Sequence, residues 1–149
     1  MKKLLSIIVA FMLVITVLTF SACSGGESLE NGTYRVSRVY IDGESIDQTH
    51  ARWVVFGYAM YFVVDGNNLT TITRIADTTR ETTVEFRIRN GYLERRVDLL
   101  DGRQWLRWDG TIAPAFSSTR VENGEIVERY TSPISGEVIQ IFYSRVEQG

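Results

Sequence analysis

The sharpest alternation of apolar and polar positions lies at 84–97. Val84, Phe86 and Ile88 alternate with Glu85, Arg87 and Arg89, the period of a strand with one buried face. Asn90-Gly91 follows, a pair suited to a two-residue type I′ turn because both residues tolerate positive φ. Closing the hairpin there sets Arg89 opposite Tyr92, Arg87 opposite Glu94 and Glu85 opposite Arg96. Both charge pairs are of opposite sign, and a one-residue slip would break them and turn the apolar face to water. That face carries Val84, Phe86, Ile88, Leu93, Val97 and Leu99, with Arg95 as its exception.

The same reading extends along the chain. Asn31 to Ile41 predicts a strand with Tyr34, Val36 and Tyr40 on one face and Arg35, Ser37 and Val39 on the other. Asp42-Gly43 is a turn, and Glu44 to Arg52 a polar loop or short helical turn. Trp53 to Val64 is almost continuously apolar, read as two strands with a bend near Gly57-Tyr58. Asp65 to Asn68 is a turn, Leu69 to Ile75 a Thr-rich strand, and Ala76 to Glu81 a connection. A turn at Asp101-Gly102 pairs Leu100 with Arg103, which sets Leu106 opposite Val97 and Trp108 opposite Arg95, with Trp105 and Arg107 pointing the other way. Thr111 to Ser118 is a loop, Thr119 to Thr131 a hairpin about Asn123-Gly124, and Val138 to Val146 the last strand. No helix of convincing period appears beyond the apolar leader. Turn signals recur roughly every 10–12 residues, as an antiparallel meander requires. The expected fold class is all-β, an antiparallel meander of about eight strands closed into a barrel because closure removes exposed edges. An open β-sandwich is the alternative.

The first residues follow a different pattern. Met1-Lys2-Lys3 is basic, Leu4 to Phe20 is apolar apart from Ser6, Thr16 and Thr19, and Ser21-Ala22-Cys23 ends the run. A charged head, an apolar middle and small exit residues mark a secretory signal. Cys23, the single cysteine of the 149 residues, stands at the exit. The combination resembles the signal peptides of bacterial lipoproteins, with Phe20 where that family usually has Leu. The resemblance implies a signal helix removed as residues 1–22, acyl chains such as palmitate on Cys23, a flexible tether over 23–30 and a domain at 31–147. An uncleaved anchor is the competing reading, since about 17 apolar residues reach the lower edge of a bilayer span. A simple secreted protein is the other.

Removing that leader changes the charge. Both lysines leave with it, so the remainder holds 14 arginines and no lysine against 18 carboxylates, a balance of −4. A mildly acidic chain without basic runs argues against nucleic acid or an anionic lipid headgroup as the main partner. With Cys23 acylated no thiol remains for a disulfide.

Gly32-Thr33-Tyr34 at the head of the first strand, with Arg145 near the end of the last, resembles the lipocalin-like domains found in many bacterial lipoproteins. In that family a Gly-x-Trp motif opens the barrel and an Arg covers the Trp; here Tyr34 stands in its place. The resemblance implies a lipocalin-like barrel closed at one end by Arg145 over Tyr34, through a cation–π contact.

Candidate chemistry is sparse. Arg95, expected inward among Phe86, Val97 and Trp108, needs a partner if buried: a ligand carboxylate or phosphate, an internal acid or carbonyl, or a bulge that turns it outward. Trp53, Phe56, Tyr58, Tyr61 and Phe62 could line an apolar pocket or simply fill the interior. The tentative ligand set is Arg95, Trp108, Phe86 and Tyr61. His50 is the only histidine and reads as a solvated loop residue. The Asp65-Gly66-Asn67-Asn68 turn lacks calcium-loop spacing. No cofactor, metal set or catalytic constellation is expected, and no enzyme activity. The expectation is an envelope lipoprotein, in the outer membrane if the cell has two, whose barrel binds a small apolar or amphipathic ligand or a protein partner. The alternative is a solid-packed barrel that works as an assembly or inhibitor module through its surface, with Trp105 as a contact.

Overall fold

Tight turns join most of the strands, and the computed structural model describes residues 27–109 and 117–147. The segment 1–22 expected as a signal, Cys23 and the start of the expected tether lie outside the described residues, as does most of the loop expected at Thr111 to Ser118. The strands are β1 (Gly32–Ile41), β2 (Glu44–Ile46), β3 (Met60–Asp65), β4 (Asn68–Ile75), β5 (Thr78–Arg89), β6 (Tyr92–Leu99), β7 (Gly102–Arg107), β8 (Ser117–Glu122), β9 (Glu125–Thr131) and β10 (Val138–Arg145). One helix, α1 (Ala51–Ala59), precedes β3.

Neighbouring strands are antiparallel in the order β1-β3-β4-β5-β6-β8-β9-β10, and β10 pairs back onto β1. This closes an eight-stranded barrel. β2 and β7 lie off the ring, paired to β1 and β6.

The β5–β6 hairpin has the expected register, with Arg87 opposite Glu94 and Arg89 opposite Tyr92. Arg87 Nε donates to Glu94 at 2.7 Å and Arg96 Nη1 to Glu85 at 2.6 Å. Asn90 and Gly91 carry φ of 53° and 73°, as a type I′ turn demands.

Several expectations are corrected. Ala51 to Ala59 is helix, not strand. The spacing Trp53, Phe56, Gly57, Met60 is a helical face, and Trp53 and Phe56 pack against the core. His50 caps the helix, its Nδ1 accepting from Arg52 N–H at 3.2 Å. In β1 the register slips between Val36 and Arg38. This bulge turns Val39 inward, fully buried, and leaves Tyr40 half-buried, reversing their expected faces. The β6–β7 turn is Leu100-Asp101, because Leu99 pairs with Gly102. Leu106 therefore sits opposite Arg95 rather than Val97, and Trp108 lies beyond the end of β7. A shift of two residues keeps each side chain on its expected face.

The barrel has a filled end, the floor, where β1 begins and β10 ends. Tyr34, Phe62, Val64, Leu69, Leu93, Val121, Ile126, Ile141 and Tyr143 are buried on the inward faces. Phe62 meets Tyr143 edge-on at 4.9 Å and Trp108 at 6.5 Å. Leu29 packs against this cluster, within the span 23–30 expected as the tether. The turns at Asp65–Asn68, Asn90-Gly91 and Asn123-Gly124 also lie at the floor. The opposite end, the mouth, carries α1 and the β4–β5, β6–β7 and β9–β10 connections.

Candidate functional site

Arg145 closes the floor, but not as the family resemblance implies. It pairs across the strands with Tyr34, yet it stands over no ring among the described residues. Its guanidinium pairs with Glu30 and donates to the Asn31 carbonyl at 3.3 Å. Its methylenes cover Gly32, where a Cβ would stand 3.1 Å from Arg145 Cγ and Cδ. The Tyr34 hydroxyl donates to the Glu30 carbonyl at 2.9 Å. Burial raises the Tyr34 pKa above 10.

The four tentative ligand residues are not brought together. Tyr61 is on the outer wall: Arg35 stands over its ring at 4.5 Å and Arg74 at 5.6 Å. Phe86 is buried. Trp108 is buried too, its N–H bonded to the Leu93 carbonyl at 2.8 Å. Arg95 follows the inward parity expected for it but is exposed, because β6 pairs with β8 only at Tyr92–Arg120 and its pairing with β5 ends at Phe86–Arg95. Its guanidinium carbon lies 5.6 Å from the Trp108 ring centre. Among the described residues Arg95 makes no ion pair. The three expectations for it (an internal acid, a bulge, a ligand) reduce to a cation stacked on Trp108 with its donors facing water.

The apolar face of the β5–β6–β7 sheet is also less covered than expected. Above Phe86 and Arg95 the β4–β5 and β6–β7 hairpins part, leaving Leu99 and Leu106 exposed at 42% and 38%. The other exposed large apolar side chains are Val54, Val55 and Tyr58 on α1, Ile75, Leu100, Ile134 and Val146. Of these, Val146 alone is at the floor.

Inside the barrel sits a polar group that sequence reading missed. Glu128 is 2% exposed and accepts from the Tyr143 hydroxyl at 3.4 Å. Thr119 stands opposite it across β8–β9. The signal was available: in Glu125–Thr131 the inward parity of Ile126 and Tyr130 includes Glu128. Desolvation first, and the Glu128 charge second, push the Tyr143 pKa well above 10.

Two open clefts are formed by described residues. One, of about 570 Å³, lies at the floor around Asn31, Gly32, Arg145 and Val146. The other, of about 610 Å³, runs between β2, the start of α1 and the β9–β10 connection, and gathers His50 with Asp42, Glu44 and Glu137. Two of its three acids are engaged structurally. Asp42 accepts from Val138 N–H at 2.8 Å. Glu137 accepts from Ser135 at 2.8 Å and Arg52 at 3.0 Å, which hold its carboxyl below the usual range. His50 spends Nδ1 on the helix cap and among the described residues hydrogen-bonds to no carboxylate, so they form no base–orienter pair there. Among the described residues no group of three His, Cys, Asp or Glu is placed to hold a metal.

No protein-family model, no curated protein and no solved structure matches the chain.

Proposed function

We infer that this protein is a lipid-anchored envelope lipoprotein with a lipocalin-like barrel, whose mouth end takes a small apolar or amphipathic ligand. One observation carries the reading: the barrel is polarised. The chain enters at a filled floor, while among the described residues every exposed large apolar side chain except Val146 lies toward the mouth. Three residues separate Cys23 from Glu27, a reach of about 14 Å at full extension. A tail on Cys23 would keep the floor beside its membrane and turn the mouth away from it. Exposed large apolar side chains gathered at one end support a binding region there.

The packed floor supports the second reading, a barrel that works only through its outer wall. Trp105, its candidate contact, faces outward but lies under Arg87 at 4.5 Å.

The test has two arms. Labelled palmitate should enter the wild-type chain and be lost in Cys23→Ser. Native mass spectrometry of the full-length protein should show a bound amphiphile at one per chain. A chain without label, or one that stays empty after exposure to lipid extract, overturns the corresponding half of the reading.

A further inference from the structure

The inward face of the open wall is charged in one sign only. Its positions are Thr78, Arg80, Thr82 and Val84 on β5, Arg95, Val97 and Leu99 on β6, and Gln104 and Leu106 on β7. No Asp or Glu is among them. The acids of the same strands, Glu81, Glu85, Glu94 and Asp98, stand on the outward face. There Glu85, Glu94 and Asp98 are paired with Arg96, Arg87 and Arg103. The outer wall is thus largely neutralised, and the inner wall is left cationic.

Arg95 is the deepest of these cations. The buried Trp108 ring supports one face of its guanidinium, which restricts the group while leaving its edge donors free. A guanidinium presents a fork that matches the two oxygens of a carboxylate or phosphate. Toward the rim come Val97, then Leu99 and Leu106. Arg95 to Leu99 spans four residues, about 13 Å of strand.

We propose that this wall binds a single-chain amphiphile with an anionic head, the head on Arg95 and the tail along Val97, Leu99 and Leu106. The proposal rests on the reading of the mouth as the ligand end and adds the chemical class. Charge complementarity selects the head. A cationic head would meet Arg95 with no acid on the inward face of the same strands to compensate. A headless alkyl chain would dry Arg95 without pairing it, which is costly. Carboxylate and phosphate heads share the chemistry and differ in source, a fatty acid or a phosphorylated lipid.

The full-length protein in phosphatidylcholine nanodiscs is titrated with decanoate, decyl phosphate and decyltrimethylammonium, and binding is measured above that of empty nanodiscs. Both anions should bind at one per chain, and the ammonium at least ten-fold more weakly. The tighter anion names the source. Arg95→Met should weaken the anions at least ten-fold, while Arg96→Met, on the outward face, should not. Leu99→Glu, at an exposed position, should weaken them without touching Arg95. Equal binding of anion and cation, or an Arg95→Met protein with unchanged affinity, overturns the head assignment and leaves the mouth reading standing. Binding of no amphiphile of either charge overturns both.

Discussion

Within the apolar barrel the Tyr143 hydroxyl donates to the Glu128 carboxylate at 3.4 Å, and both side chains are almost wholly buried. Removing the hydroxyl takes one donor from a buried carboxylate, which then carries more of its desolvation cost. Tyr143→Phe is therefore expected to destabilise the fold by about 1–3 kcal/mol, read as a lower urea midpoint with an unchanged slope. An unchanged midpoint would mean that the hydroxyl contributes nothing.

The same burial sets an alkaline limit. Tyr34, Tyr130 and Tyr143 all have pKa values raised above 10, chiefly by desolvation. The folded state holds these protons more tightly than the unfolded chain does. Their contribution is complete below pH 10 and is lost as pH rises through the folded values. Stability should fall above pH 10, with tyrosinate absorbance lagging behind that of the unfolded chain. Tyr143→Phe should flatten this fall. A stability flat from pH 9 to 12 would contradict it.

The β5–β6 hairpin tests how far a local pattern carries. Coupling in double-mutant cycles for Arg87–Glu94 and Glu85–Arg96 should be about 0.2–1 kcal/mol each and decline with salt. Gly91→Ala should cost about 1–2 kcal/mol, since φ is +73°. Its Cβ would also stand 2.7 Å from Glu27 Oε2, the far end of an exposed, flexible side chain that can turn aside, so the cost comes from the backbone.

Gly57 reverses a usual rule. In a helix Gly→Ala commonly stabilises. Here the added Cβ would lie 2.8 Å from Trp53 Cζ3, and the ring is wedged against the core. Gly57→Ala should therefore destabilise, by about 1 kcal/mol or more, and shift tryptophan emission. A stabilised variant would show that the ring moves freely.

What could be seen in the sequence divides along physical lines. The β5–β6 and β8–β9 hairpins were legible because an Asn-Gly pair fixes the turn and alternation fixes the face. Barrel closure followed from the strand count and the need to hide edges. The helix was not legible, because Trp53 to Val64 is apolar throughout and offers no polar face to set a period. The bulge after Val36 inserts one residue with no composition cue, and it inverted Val39 and Tyr40. At Leu99-Leu100-Asp101-Gly102 the Asp-Gly pair suggested the wrong two turn residues. Arg95 was marked by its place on an apolar face. That this face stays open could not be read, because cover depends on where distant strands part.

Hydrogen exchange on the full-length protein, with and without decyl phosphate, bears most directly on the polarised barrel. Amides at 32–36, 60–64, 121–128 and 139–145 should exchange slowest, and those of 96–107 fast. The added amphiphile should slow 93–108 and leave the floor unchanged. Equal protection at both ends without ligand, or slowing at the floor or outer wall instead of 93–108, would contradict a filled floor beneath a ligand-taking mouth.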